Sequence, residues 1–501
     1  MKGTVERVLT PSQIPAACRE VCASGGRMQM AYAWFPEPGK PAEVVYMIDQ
    51  HANQPFQLFR CRLSSSQEPL PSLAVDFPLM GWYEREMMDL CGLRFIGHPE
   101  PYPLVLHEGA MASLPPLDPL YPAGQRIGYE AAEWKLPSVE GSDVQILPFG
   151  PVRADVLESA QIVFYYIGEA ILHCHPRLFF KHRGMEKRFE ELSPALAPLL
   201  GTVLAERVSG VDSVSHALAF CHAVERAADC EVPVRAQYVR VILAELERLY
   251  NHLHYFGYLC HTTTLKVGEA EGKLLSERAK QINGRLTGSR FLRGIIKPGG
   301  LRRDLDLSKL AGELDGLKTE IFDYIDGLEV TNSHLDRLIT TGKLPNKTAY
   351  DQGASGPIKR ASGICKDLRA DHVYSGYCHL AFETPMRTEG DAHARAQVRM
   401  AEIRASIQLV EQALETMPTG EIAVPMATPV STEAVGWAEG VRGSTYYCVH
   451  FGESGQLQRV KIKSPSFSNW RVFPFTVHDT NMMDYAINEA SFGLTMAGCD
   501  R

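Results

Sequence analysis

The sequence predicts an α+β domain over residues 1–112, followed by a mainly α-helical bundle domain with small β-sheets over residues 144–501. A proline-rich linker, 113–143, joins them. Three observations carry this. VVYMI (Val44–Ile48) and FQLFRCRL (Phe56–Leu63) read as strands around a polar connection, Asp49–Gln54. SLPPLDPLYPAG (Ser113–Gly124) has four prolines and no periodicity, and proline fixes φ and removes a donor. Beyond it, apolar residues recur at three- and four-residue steps over long stretches, the mark of packed helices.

Taken in order, WYEREMMDLCGLRF (Trp82–Phe95) predicts a helical turn running into a loop with Gly97-His98-Pro99. Val144 to Ala170 is a short β-rich stretch. Val239, Ile242, Leu243, Leu246, Leu249 and Leu253 form one apolar face of a long helix, with Pro233 where a first-turn proline is tolerated. A second such helix carries Ile403, Ile407, Val410 and Leu414. YYCVHF and QLQRVKI flank Gly452-Glu453-Ser454-Gly455 and predict a β-hairpin.

Composition excludes several classes. Of 501 residues, 45% are hydrophobic and 22% charged, which is globular rather than disordered. Lys+Arg 51 against Asp+Glu 59 gives −8, so no nucleic-acid partner is indicated. No apolar run approaches the roughly 20 residues of a membrane helix, and the first residues lack the apolar core of a signal peptide. A chain that meets a membrane only through a partner is expected. The 12 cysteines are scattered, with Cys18 and Cys22 the closest pair and no Cys-x-x-Cys. Buried hydrophobes are expected rather than a cluster or zinc site.

Four segments carry a resemblance. They are Trp82-Tyr83-Glu84-Arg85-Glu86-Met87-Met88-Asp89-Leu90-Cys91-Gly92-Leu93 with Gly97-His98-Pro99, and Phe149-Gly150-Pro151 leading to Lys181-His182-Arg183-Gly184-Met185-Glu186-Lys187. The third is Glu206-Arg207-Val208-Ser209-Gly210, with His216, Glu225 and Arg235-Ala236-Gln237-Tyr238-Val239-Arg240. The fourth is Ser355-Gly356-Pro357 with Arg360-Ala361-Ser362-Gly363 and Asp367-Leu368-Arg369. In this order they resemble the large subunit of group 4, energy-converting nickel–iron hydrogenases of the formate hydrogenlyase type. The same pattern resembles the C-type and D-type subunits of respiratory complex I fused into one chain. The resemblance implies the fold shared by the hydrogenase large subunit and the complex I D-type subunit, after a C-like N-terminal domain.

In that family four thiolates from two Cys-x-x-Cys motifs hold nickel. The early motif, Arg-x-Cys-Gly-x-Cys-x-x-x-His, aligns with Arg207-Val208-Ser209-Gly210-Val211-Asp212-Ser213-Val214-Ser215-His216. The late motif aligns with Gly493 to Arg501, placing Thr495 and Gly498 at the cysteine positions and Cys499 one place off. Soft thiolates suit nickel, and Ser209, Asp212, Thr495 and Gly498 supply none. A nickel-ligand-lacking, hydrogenase-related member is therefore expected, with no metal or cofactor bound by this chain. Complex I turns the same cavity into a quinone pocket with a histidine and a tyrosine. Here Arg153 and Gly210 stand at those places, so Arg153, Ser209 and Gly210 are the candidate residues of the former quinone or nickel cavity.

The resemblance implies a membrane-bound oxidoreductase complex of the NADH–quinone or hydrogenase-4 kind. Its expected partners are a small subunit like the B-type one of complex I, with a 4Fe–4S cluster, a ferredoxin-like subunit, and membrane proteins of the antiporter-like and H-like types. The chain would sit peripherally on the cytoplasmic face of the inner membrane. Electrons would pass from the partner's cluster to an acceptor, quinone among the options, coupled to ion translocation. The alternative is a redox-inactive coupling scaffold.

Asp212, His216, Glu186 and Arg207 are the candidate proton-handling residues, since Asp212 and His216 lie four apart, on one face of a helix. The plainer option is an ionic network filling a polar cavity. Arg183, Glu186 and Lys187 are either a proton entrance or a salt-bridge cluster. His173 and His175 suit a solvated strand end, and His252 and His254 suit helix-end packing. Arg85, Glu86 and Asp89 are expected to fix the N-terminal domain against a partner subunit. Ser464-Pro465-Ser466-Phe467 reads as structural, and Cys499 as a relic or as packing in the cavity. The stop at Arg501 agrees with a subunit that has no extension to process after nickel loading.

Overall fold

The computed structural model describes residues 4–50, 52–122, 124–134, 139, 141, 143–154, 156, 158–478 and 480–501. Small sheets and many helices alternate along the chain. The first sheet has four strands in the spatial order Thr4–Leu9, Phe56–Arg62, Glu43–Asp49, Arg27–Trp34. Its first pair is parallel and the other two pairs are antiparallel. Thr4–Leu9 and Arg27–Trp34 escape the sequence pattern: the first is a largely exposed edge, and the second is buried on both faces and so shows no alternation. The predicted helical turn is a 12-residue helix, Met80–Cys91, closed by Gly92 in the left-handed region. It packs on Arg27–Trp34.

The proline-rich stretch is not a free spacer. Ala110–Met111 pairs with Gly128–Tyr129, and Leu117 is buried, its amide donating to the Leu90 carbonyl. Prolines remove donors but leave apolar surface, which here lies against the helix Met80–Cys91. A second sheet, Gln145–Phe149, Gln161–Ile167, Ala170–Arg177 and Thr480–Asn481, is antiparallel. Within the predicted β-rich stretch from Val144 to Ala170, Asp155 and Leu157 lie outside the described residues.

The helical core is built on Val234–Thr262, with Pro233 as its N-cap. It packs against Lys266–Thr287 and Ala392–Thr416. Every residue from Tyr238 to Leu253 is buried, so this is no surface helix with one apolar face. Its charged residues cannot reach water and must be paired inside. Arg240 makes two hydrogen bonds to Glu225, at 3.1 and 2.6 Å. Arg248 bonds Glu245 and Glu402, each at 3.2 Å, and Arg369 bonds Glu245 and Asp367. Arg360 pairs with Glu402, Asp367 and Glu439. The third and fourth motif segments thus supply structural ion pairs. His252, expected at a helix end, lies mid-helix with Nε2 2.7 Å from Glu402, while His254 faces solvent.

The predicted hairpin gains a third strand: Thr432–Gly440, Gly443–Phe451 and Leu457–Lys463 form an antiparallel sheet. It lies against the helix Ser213–Ala227. The approach is close enough that a Cβ on Gly436 would stand 2.1 Å from the Ala219 carbonyl oxygen, so this position requires glycine. Along the last strand Arg459, Lys461 and Lys463 alternate, which puts all three on one face. That face is buried against the N-terminal half of the chain.

Candidate functional site

Two loops nearly 290 residues apart in sequence meet in the fold. The loop Arg207–Asp212 leads into the helix Ser213–Ala227, and the segment from Gly493 leads into the helix Met496–Asp500. Thr495 caps the latter, its hydroxyl accepting from the Gly498 amide. Glu158 accepts from the next two amides, Met496 and Ala497, at 2.6 and 3.0 Å, satisfying donors that a helix start leaves open. Arg183 clamps the two loops together, its guanidinium donating to the carbonyls of Arg207, Val208 and Ala497.

The junction brings Ser209, Asp212, Thr495 and Gly498 together. A Cβ on Gly498 would lie 3.5 Å from Ser209 Cβ and 2.6 Å from Thr495 Oγ1. Ser209 Oγ donates to Asp212 Oδ2 at 2.6 Å. Arg442, in the turn between the first two strands of the C-terminal sheet, donates to Asp212 Oδ1 at 2.5 Å and to the Gly493 carbonyl at 2.7 Å. These groups do not fit nickel. They offer a hydroxyl that caps a helix, a carboxylate already ion-paired, a second hydroxyl bonded to it, and a glycine. The neighbouring Cys499 is fully buried, and burial pushes its thiol well above the ordinary range, so no thiolate is at hand.

The side chains of Asp212 and His216 are not hydrogen-bonded to each other; only the His216 amide donates to the Asp212 carbonyl, at 3.1 Å. Asp212 precedes the helix as its N-cap, and its carboxylate turns to Ser209 and Arg442. His216 lies inside the helix, with Nδ1 2.9 Å from the Tyr447 hydroxyl and Nε2 without a partner. Burial lowers its pKa to about 4, so it is neutral at physiological pH. The carboxyl beneath is Glu247, absent from the sequence-based candidates. It accepts from the amides of Val214 and Ser215 at 2.6 and 3.0 Å. Burial, helped by the nearby Asp212 charge, pushes it up to about 8. The only signal for it in the sequence is its place on a helix that turns out to be buried all round.

Glu186 behaves in the opposite way. Arg459 donates to it at 2.6 Å, Lys461 at 3.1 Å, Arg501 at 3.3 Å and the Ile462 amide at 3.1 Å. These cations overcome the cost of burial and hold its carboxyl far below the usual range. Glu86 shares Lys461 and Arg501, at 2.6 and 2.9 Å. The N-terminal motif therefore fixes its domain to the rest of this same chain, where the sequence suggests a partner subunit. Arg85 and Asp89 act inside their own domain instead: Arg85 donates to the carbonyls of Tyr102 and Pro103, and Asp89 accepts from the amides of Leu104 to Leu106.

Of the remaining candidates, Arg207 and Gly210 lie on the junction loop but are exposed, and Arg153 is held elsewhere. Arg207 is half exposed and pairs with Glu206 at 3.5 Å. Gly210 is exposed, its carbonyl accepting from Arg293 at 2.6 Å. Arg153 is bound by Glu489 through two hydrogen bonds, at 3.0 and 2.7 Å, and stacks over Phe149. Beside the junction opens a pocket of about 440 Å³. Leu90, Leu117, Tyr121, His182, Glu186 and Arg501 are among the residues that line it. His182 Nδ1 donates to the Asp500 carbonyl at 2.6 Å, and burial lowers the pKa of the ring. Asp212 and His216 do not line this pocket.

Among the described residues no group of three or more His, Cys, Asp or Glu side chains is placed to hold a metal ion, and no helix is long and apolar enough to cross a membrane. Family comparison places the model of the respiratory-chain NADH dehydrogenase 30 kDa subunit on residues 9–126. The model of the 49 kDa subunit matches residues 275–433 and 424–501, and that of nickel-dependent hydrogenase matches 183–278. Formate hydrogenlyase subunit 5 of Escherichia coli K12 is 30% identical over 474 residues, covering 92% of this chain and 79% of that protein. The C/D subunit of NADH-quinone oxidoreductase from Ectopseudomonas mendocina is 29% identical over 89% of this chain and 82% of its own length. Hydrogenase-4 component G of Escherichia coli K12 is 29% identical over 84% and 74%. A solved chain of the membrane-bound sulfane sulfur reductase, an archaeal respiratory membrane complex, aligns with a TM-score of 0.67 at 26% identity, over 72% of this chain and 99% of that one. The chain belongs to the family of fused 30 and 49 kDa-type subunits, with a nickel-hydrogenase-like segment, that includes formate hydrogenlyase subunit 5.

Proposed function

We propose that this chain is the large subunit of a membrane-bound, energy-converting, hydrogenase-related oxidoreductase that holds no nickel. In this reading it sits peripherally on the cytoplasmic face of the membrane. A small B-like partner carries the 4Fe–4S cluster, and electrons from that cluster reach an acceptor of the quinone class. The observation that carries the proposal is the closed junction at Ser209, Asp212, Thr495 and Gly498, where hydrogen bonds and the Arg442 ion pair stand in the thiolate positions. The pocket beside it has a volume suited to a small organic acceptor, and its lining combines apolar side chains such as Leu90 and Leu117 with His182. His216 presents a neutral ring with one nitrogen that has no partner among the described residues.

The test is the metal content and reoxidation of the complex purified with its small subunit. Iron without nickel, and oxidation of the reduced cluster by a soluble quinone, are the expected results. Stoichiometric nickel overturns the vacated-site reading, and a cluster that no quinone reoxidises overturns the acceptor. The second reading is a redox-inactive coupling scaffold. It is favoured by Glu186, whose charge is fixed by three cations and which therefore offers no mobile proton. That reading expects Asp212→Ala and His216→Ala to leave function unchanged.

A further inference from the structure

The helix Met80–Cys91, the strand Ala170–Arg177 and the helix Pro465–Val472 all border one cavity of about 270 Å³. Arg471, in the last turn of the third element, lines it. Among the described residues its guanidinium makes a single hydrogen bond, from Nη1 to the Gln352 carbonyl at 3.2 Å, and no ion pair. A Cβ on Gly81, which also lines the cavity, would lie 3.8 Å from both Arg471 Nη2 and His98 Nε2. The open end of the guanidinium therefore faces this space. Burial lowers the group to about 9, with Arg85 adding to the effect, and it stays charged at neutral pH.

The other groups of the lining leave this charge unmatched. Its carboxylate, Glu100, is 62% exposed and has its own cation in Arg85, at 3.5 Å. His98 Nδ1 accepts from the Glu100 amide at 2.9 Å, so Nε2 carries the hydrogen and donates to the Gly81 carbonyl at 3.1 Å. Glu84, outside the lining, lies 3.8 Å from the same nitrogen. It accepts from the Ser72 hydroxyl and the Leu73 amide, and burial pushes it up to about 7. His173 and His175 alternate on their strand, so both rings leave one face, and neither makes a hydrogen bond among the described residues. Burial lowers both, His175 to about 4, so they are neutral. Two arginines against one carboxylate leave one positive charge, with two imidazoles free to hydrogen-bond an anion.

Burying a cation without an anion is costly, and such a group acquires a counterion where one fits. Apolar groups complete the lining, Trp82, Leu104, Pro474 and Phe475 among them. One spare charge suits a monoanion, and ring and proline surfaces favour an organic body over a bare ion. The planar fork of arginine matches a carboxylate. We propose that this cavity binds a small organic monocarboxylate, its carboxylate on Arg471 and the His175 ring and its apolar body against Trp82 and Phe475. Such a ligand would touch the N-terminal domain, the second sheet and the C-terminal part of the chain at once. The proposal stands independently of the acceptor reading, since no residue lines both this cavity and the acceptor pocket.

Calorimetric titration of the full chain at pH 7 with benzoate, against acetate and benzamide at matched ionic strength, tests it. The expected result is one saturable site per chain for benzoate. Acetate, which lacks the apolar body, and benzamide, which lacks the charge, each bind roughly tenfold or more weakly. Arg471→Met weakens benzoate binding by roughly tenfold or more, because it removes charge-assisted hydrogen bonds. His173→Glu, at an exposed position of the lining, adds a carboxylate beside the ligand and weakens binding as well; it decides alone if Arg471→Met fails to fold. Absence of saturation, acetate or benzamide binding as tightly as benzoate, or undiminished binding in a folded variant overturns the proposal. N-acetylphenylalanine, which mimics a peptide C-terminus, binds less well than benzoate; tighter binding would assign the cavity to a partner's chain end and overturn the small-molecule assignment.

Discussion

The two ends of one strand face differ in a way that explains how this molecule handles buried charge. At Arg459 and Lys461, every cation meets a carboxylate from a distant segment, and Glu186 is held ionised under three positive groups. Two residues further on, Lys463 has the same burial and no anion, and its pKa falls. Glu247 is the mirror case, a carboxyl with backbone amides for company and no cation, pushed up to about 8. Burial is common to all of them; the neighbours decide which ones carry charge at neutral pH.

Breaking the matched end has the largest expected effect. Glu186→Gln leaves Arg459, Lys461 and Arg501 short of an anion in a dry site and costs about 3–5 kcal/mol of stability, read as a lower denaturant midpoint. Because the folded chain holds Glu186 below its ordinary pKa of 4.5, its contribution is present above that value and lost as pH falls below it. The variant therefore loses part of the acid-side decline in melting temperature. An unchanged acid limb would show that Glu186 is not ionised as described.

At the unmatched end the sign reverses. Lys463→Met removes a charge that has no carboxylate partner among the described residues and leaves stability unchanged or raises it by about 1–2 kcal/mol. With the folded pKa at about 7 and the unfolded one near 10.5, the unfolded chain holds more protons between those values. Stability therefore rises with pH across that window, by up to roughly 1.4 kcal/mol per pH unit. The variant should lose this rise, and a marked destabilisation instead would mean that Lys463 has a partner after all.

The smallest change is expected at Glu247→Gln, about 1–2 kcal/mol at pH 7, because the carboxyl it replaces is already neutral. Its folded pKa is raised, so the native chain keeps its proton while the unfolded chain loses it between pH 4.5 and 8. Stability falls as pH rises through that range, and the variant should lack this fall. Comparing the two melting curves from pH 5 to 9 decides it.

The sequence made the strands at Val44–Ile48 and Phe56–Leu63, the seam of the long helix and the closing hairpin legible, because each has a period that matches its element. It hid Arg27–Trp34, where burial on both faces erases alternation. Motif order aligned Ser209 and Asp212 with Thr495 and Gly498, and these do meet in space. Arg442 stayed invisible: it lies in a strand turn 230 residues from the carboxylate it neutralises, and no local spacing marks such a pair. The same holds for Glu86 and Lys461, 375 residues apart, which made an internal clamp look like an external docking surface.

That separation has a consequence for how the chain is made. At about 5–20 residues per second, the ribosome takes roughly 20–75 s to travel from Glu86 to Lys461. For much of that interval the N-terminal sheet and helix lack their late partners: Glu86 waits for Lys461 to the end, Asp49 waits for His372, and Arg60, already paired with Glu6 and Glu43, waits for its third carboxylate, Glu433. The first domain to emerge is thus electrostatically incomplete until the last strands are translated. Tethering both halves in one polypeptide gives the late cations an effective concentration that two separately synthesised subunits would have to reach by diffusion.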